Sequence, residues 1–165
     1  MTNLGILATF LHYSESANER LMAAAKSLND AQLDRPFEMG VGSLRRTLLH
    51  LYNGEYVWLQ RWQGRTETPW PDEEEKAAVA TIAQRFLRNN ADRAVFLETV
   101  READLRRPMV YRDSKGSLFS TTLGDMLVQG IAHSIHHRAQ AANMLRHVGA
   151  GTVELDYMVS VRKPA

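Results

Sequence analysis

The stretch Ile131–Gln140 reads IAHSIHHRAQ and puts three of the chain's six histidines within five positions. Whether it is helical, and which histidines then share a face, decides both the fold and the chemistry. Upstream, Thr122 and Asp125 have the spacing of a helix N-cap; downstream, Gly149 is a stop signal. These bounds predict a long last helix from Thr122 to about Val148. At about 100° per residue, with His133 set at 0°, His137 falls near 40° and His136 near 300°. The apolar residues Leu123, Met126, Leu127, Ile131, Ile135, Met144 and Leu145 form an arc centred near 100°. His133 and His137 therefore sit one turn apart at or inside the apolar face, the spacing by which two imidazoles meet one ion. His136 falls with Asp125, Gln129, Gln140 and Asn143 on the polar side and is expected to face solvent.

Outward from this stretch, most of the chain reads as helix. A first helix runs from about Thr2 to Leu28, and Asn29–Gly42 is a loop punctuated by Pro36 and glycines. Ser43 caps a second helix that reaches about Gln63, and Gly64–Pro71 breaks the chain. Asp72 and Glu75 have capping-box spacing and open a third helix lasting to about Asp104. The acidic run Asp72–Lys76 reads as that helix's N-terminus rather than a metal site. MVYR and SLFS, flanking Asp113–Gly116, form a short hairpin. The tail after Gly149 is expected to fold back through Leu155, Met158 and Val159. The expected fold class is all-α: a four-helix bundle with a short β-hairpin before the last helix, as one domain over 1–165.

Two imidazoles rarely complete a metal site; three protein ligands and an open position are usual for a catalytic zinc. The remaining candidates are His12, His50 and His147. His147 lies near 320° on the last-helix wheel and faces away. His12 sits in HYSES on the first helix. His50 lies mid-helix, with Gly54 one turn beyond leaving room beside its imidazole, and is the strongest third candidate. Two charged residues also fall on apolar arcs: Glu55 on the second helix and Arg138 on the last. Each would be costly to bury alone, so they are expected to pair and tie the two helices together. A second reading has Glu55 orienting a metal-ligating imidazole. Trp58, Trp62 and Trp70 read as core and loop-anchoring residues.

Composition narrows the function classes. The 165 residues carry 20 Lys+Arg against 19 Asp+Glu, a net charge of +1, which gives no electrostatic case for nucleic acid or an anionic membrane. Cysteine is absent, so a metal must be held by nitrogen and oxygen ligands. No apolar run approaches the roughly 20 residues a membrane span needs, and the N-terminus lacks a basic region and a cleavage site. The expected location is the cytoplasm.

Three segments in this order, GSLRRTLLHLYNGEYVWLQRWQG, MVYRDSKGSLFSTTLGDML and IAHSIHHRAQAANMLRHVG, together with ANERLMAAAKSLNDAQLDRP, resemble the DinB/YfiT-like superfamily across nearly the whole chain. The resemblance implies an up-down-down-up bundle, often dimeric. It also implies one divalent metal held by three histidines, which fall here on His50, His133 and His137. Zinc or nickel suits such ligands best, with iron or manganese as alternatives. Related members of the superfamily are transferases and isomerases that use low-molecular-weight thiols. The expected activity is therefore metal-dependent attack of such a thiol, or of water, on an electrophilic small molecule. The alternative is a non-catalytic metal- or small-molecule-binding bundle acting in stress response. No residue stands out as a general base.

Overall fold

The computed structural model describes residues 2–73, 75–113 and 115–164. Glu74, in the acidic run, and Ser114, in the expected hairpin turn, lie outside the described residues. Four long helices dominate: α1 (Asn3–Ala25), α3 (Leu44–Trp62), α4 (Val79–Thr99) and α5 (Leu123–His147). Two short ones, α2 (Asp30–Leu33) and α6 (Tyr157–Val161), and a two-stranded sheet, β1 (Pro108–Arg112) and β2 (Leu118–Thr122), complete the chain with a 3-10 turn at Glu102–Arg106.

The caps predicted by Ser43 and Thr122 are present. Ser43 Oγ accepts from the Arg46 amide (3.3 Å) and Thr122 Oγ1 from the Asp125 amide (3.1 Å). The hairpin pairs antiparallel, Pro108 opposite Thr122 and Arg112 opposite Leu118. Asp113 Oδ1 accepts from the Lys115 and Ser117 amides (both 2.9 Å) and closes the turn. Because Thr122 ends β2 and caps α5, the hairpin is fixed to the N-terminus of the histidine-bearing helix.

Several boundaries differ from expectation. α1 stops at Ala25, and the loop after it contains α2, built by a reciprocal capping box between Asn29 and Gln32 that seats Leu33 in the core. No helix begins at Asp72. The segment before α4 is instead held along α3: Asn53 Nδ2 donates to the Pro71 carbonyl (3.2 Å) and Arg45 Nη1 to the Ala77 carbonyl (2.8 Å). α4 starts at Val79 and ends at Thr99, short of Asp104. Beyond it, the Glu102 carboxylate accepts from the Asn3 and Leu4 amides at the start of α1 (3.1 and 2.9 Å), where the helix dipole favours negative charge. The tail does fold back. Tyr157 packs on Phe10 (ring centroids 5.2 Å) and Tyr13 (5.5 Å), and Arg20 donates to the Glu154 carbonyl (2.8 Å). Met158, expected to cover apolar surface, is 58% exposed. So is Ile135, at 46%; it lies about 100° around α5 from the buried Ser134 and falls outside the packed face.

The core is in two parts. Leu21, Leu48, Ile82, Phe86, Met144 and Leu145 belong to one apolar cluster; Leu11, Trp58, Trp62, Phe96, Leu127 and Ile131 belong to the other. Between them along the sequence, each long helix contributes buried polar residues: Ser14 and Asn18 from α1, Glu55 from α3, Asn89 and Arg93 from α4, and Ser134 and Arg138 from α5. A polar layer therefore divides the apolar interior.

Candidate metal centre

At the centre of this layer is Glu55, only 4% exposed. Its Oε2 accepts from Arg93 Nη1 (2.9 Å), and its Oε1 accepts from Asn18 Nδ2 (2.8 Å) and Ser134 Oγ (3.0 Å). Arg138, the partner expected from sequence, stands further off at 3.9 Å from Oε1 and donates instead to Asn18 Oδ1 (3.3 Å). Its guanidinium lies over the Tyr13 ring (5.4 Å). Burial alone would raise the Glu55 carboxyl; Arg93, Asn18 and Arg138 outweigh it and hold it below the usual range. The expected pair is thus one arm of a larger network, in which Arg93 makes the short contact. A sequence signal for Arg93 existed: Val79, Ile82, Phe86, Arg93, Phe96 and Val100 recur at helical spacing on the buried side of α4.

Beside this layer, on α3 and α5, His50, His133 and His137 converge. Their ring centroids are 4.3–5.1 Å apart. One ligand nitrogen from each lies within 4.8 Å of the other two, and His133 Nε2 is 3.3 Å from His50 Nε2. In a tetrahedral site with metal–nitrogen bonds of about 2.1 Å, nitrogens are roughly 3.4 Å apart. The donor set and its spacing fit a divalent ion.

Neighbouring side chains decide how the rings present themselves. His50 Nδ1–H donates to Glu73 Oε1 (2.5 Å), which leaves the lone pair on Nε2. His137 Nδ1–H donates to Gln140 Oε1 (2.8 Å), while Gln140 Nε2 donates to His136 Nε2 (3.0 Å). With the amide in this orientation His137 Nδ1 carries the proton and its Nε2 the lone pair. Two imidazoles are thereby held with Nε2 unprotonated and aimed inward, as ligating histidines require. Burial, then the neighbouring His137 and His50, pushes His133 down to about 4. Burial and His50 also lower His137. Burial would raise the Glu73 carboxyl, but hydrogen bonds from His50 and Trp70 hold it below the usual range.

Glu73 corrects two expectations. The carboxylate that orients a cluster imidazole is Glu73 rather than Glu55. It also comes from the acidic run read as a helix start; because the segment follows α3 instead of coiling, Glu73 can reach across to His50. Trp70 travels with it, donating to Glu73 and packing on His50 (5.1 Å) and His133 (6.4 Å). Gly54 makes room, though for a different ring: a Cβ there would lie 2.2 Å from His133 Cε1. At Gly40 (φ 58°) a Cβ would lie 2.8 Å from Gln140 Oε1, so this loop glycine clears the amide that sets His137. His136 and His147 are exposed, and exposed His12 bonds Glu15 (3.2 Å); none joins the cluster.

Beside His133 opens a cavity of about 580 Å³, walled by Trp58, Arg61, Trp70, Tyr111, Asp125 and Gln129 among others. It lies between α3, α5, the hairpin and the segment carrying Trp70, in the size range of small-molecule sites. Among the described residues, no helix is long and apolar enough to cross a membrane.

A helical protein with three inward-facing imidazoles shared by two helices, and a cavity opening beside them, defines the class. The chain belongs to the DinB family, whose family model matches residues 1–163. It is similar to Protein DinB of Bacillus subtilis (strain 168), 21% identical over 152 residues that cover 88% of this chain and 87% of that protein.

Proposed function

We propose that the protein is a metal-dependent enzyme that holds one divalent ion on His50, His133 and His137 and activates a low-molecular-weight thiol, or water, for attack on an electrophilic small molecule. The observation that carries this reading is the convergence of His50, His133 and His137, one ligand nitrogen of each within 4.8 Å of the other two, with Glu73 and Gln140 hydrogen-bonded to the Nδ1 atoms of His50 and His137. A bound ion would supply Lewis acidity, lowering the pKa of a thiol or water at an open position toward neutrality. Zinc or nickel suits three neutral imidazoles best, with iron or manganese as alternatives.

The chain's own groups have separable tasks. Glu73 keeps the His50 proton on Nδ1 and strengthens the ring as a donor. Gln140 does the same for His137 without a charge. Trp70 covers His50 and limits water on that side, and the adjoining cavity receives the electrophile. For the scaffold, we infer an up-down-down-up order. It is supported by contacts that advance together on α3 and α4 (Tyr52 on Phe86, Trp62 on Phe96) and in opposition on α3 and α5 (Thr47 on Met144, Gly54 on His133). A homodimer located in the cytoplasm completes the proposal.

Metal analysis of His50→Ala, His133→Ala, His137→Ala and His136→Ala proteins tests the site. The first three lose the ion and the fourth keeps it; loss in His136→Ala alone overturns the assignment. Steady-state assays with thiols and activated esters then test catalysis. A protein that binds its ion tightly but shows no turnover and no thiol binding supports the non-catalytic alternative, a metal-binding stress-response bundle.

A further inference from the structure

The cavity beside His133 has three charged residues in its wall: Arg61, Asp113 and Asp125. Each of the two carboxylates already accepts hydrogen bonds from its own chain neighbours. Asp113 Oδ1 closes the hairpin turn, and Asp125 Oδ2 accepts from Thr122 Oγ1 (2.7 Å) and Thr121 Oγ1 (3.1 Å) at the cap of α5. Arg61 is different. Its guanidinium is stacked over Trp58 (4.7 Å) and Tyr111 (5.1 Å), and Nη2 donates to the Arg112 carbonyl (2.8 Å). Its buried Nε meets no acceptor, and no carboxylate hydrogen-bonds to the guanidinium, among the described residues. Burial lowers its pKa, only partly offset by Tyr111 and Asp113. A half-buried guanidinium packed against two rings that themselves touch (centroids 5.8 Å apart), with Nη1 uncommitted among the described residues, is a receptor for a planar anion at the cavity wall.

We propose that the cavity selects small molecules bearing a single carboxylate and an apolar or aromatic middle, with the carboxylate on Arg61 and the reactive end at the imidazole cluster. The identity of the reactive end rests on the metal-dependent reading above; the carboxylate preference does not. His133 packs on Gly54, and Gly54 precedes Arg61 by about two turns of α3, which separates the two ends by roughly 10 Å. Trp58, Trp70 and Met126 line the interval and suit a flat or apolar spacer. Asp113 and Asp125 would repel a second negative charge, so one carboxylate fits better than a phosphate dianion. Arg61 is thus assigned to substrate binding, at the end of the cavity remote from the reacting atoms.

Tryptophan-fluorescence titrations with 4-phenylbutyrate, 4-phenylbutanol and 4-phenylbutylamine test this on the native protein. A charge-assisted hydrogen-bond pair predicts that the carboxylate binds at least about tenfold tighter than the alcohol or the amine, the margin shrinking with added salt. Arg61→Gln should collapse the preference to within about twofold while keeping the metal, and Arg61→Lys should retain part of it. His137→Ala should lose the metal and keep the preference. Equal affinities in the native protein, tightest binding of the amine, no binding of any probe, or an unchanged preference in Arg61→Gln each overturns the proposal. The native-protein comparison stands even if an Arg61 variant fails to fold. A metal-free native protein that still prefers the carboxylate separates failure of the metal reading from failure of this one.

Discussion

Two polar clusters share α3 and α5, and Ser134 of one is the chain neighbour of His133 in the other, yet they are built in opposite ways. Around Glu55, opposite charges and amides meet: Arg93, Asn18 and Ser134 all donate to the carboxylate, and Arg93 reaches on to Glu15 and Asn90, although Arg93 Nε and Arg138 Nη2 find no acceptor among the described residues. Around His50, three like groups bring nitrogens together with nothing of opposite charge between them, and their outer hydrogen bonds, to Glu73 and Gln140, aim them at one point. The first arrangement is what a bundle needs to keep charged residues in its interior. The second brings like groups together and leaves His133 Nδ1 buried without a partner among the described residues, which by itself costs folding free energy. A polar cluster whose opposite charges pair reads as architecture; one whose like groups converge reads as a site.

The sharpest way to break this distinction is to remove Glu55. Glu55→Ala leaves Arg138 without its counter-charge and Arg93 with Glu15 alone (3.1 Å), both guanidinium groups being buried, and a loss of roughly 3–5 kcal/mol in urea unfolding is expected. A loss below about 1 kcal/mol would mean that the layer is not holding the helices together. Next is His133→Ala, which should abolish metal binding measured by elemental analysis while changing the stability of the metal-free protein little. Acid titration of the metal-free protein comes third. His133 sits at about 4 when folded against 6.5 as its ordinary value. The unfolded chain therefore takes up the proton first, and stability should fall as pH drops from about 6.5 to about 4 and then level off for this group. The His133→Ala protein should lack that component; an identical pH profile would show that the ring is not desolvated. The smallest effect belongs to Glu73→Gln, expected to weaken metal affinity by roughly 10–100-fold, with unfolding free energy within about 0.5 kcal/mol of the parent.

Helix periodicity was enough to place His133 and His137 on the inner side of α5 and His136 outside, because all three lie in one uninterrupted helix whose caps are visible in the sequence. It also marked Glu55 and Arg138 as interior. It did not reveal the partners, because pairing depends on which helices adjoin: Arg93 comes from α4, and the short Glu55 contact is to it. Glu73 was missed for a local reason. Asp72-Glu73-Glu74-Glu75 reads as a helix start by propensity, whereas Asn53 and Arg45, binding the Pro71 and Ala77 carbonyls, and His50, binding Glu73, tie its neighbourhood to α3. Gly54 is legible as room beside an imidazole, but the ring it accommodates, His133, belongs to another helix.

That glycine sets a limit on how the protein can be strengthened. Glycine inside a helix lowers stability by about 1 kcal/mol relative to alanine, so α3 is weaker at Gly54 than its length requires. Alanine there would gain that helix propensity only if the His133 ring moved away, because the added methyl would fall 2.2 Å from it. Thermal tolerance and the imidazole cluster therefore compete for a single methyl group, and variants improved for one at position 54 should be depleted of the other.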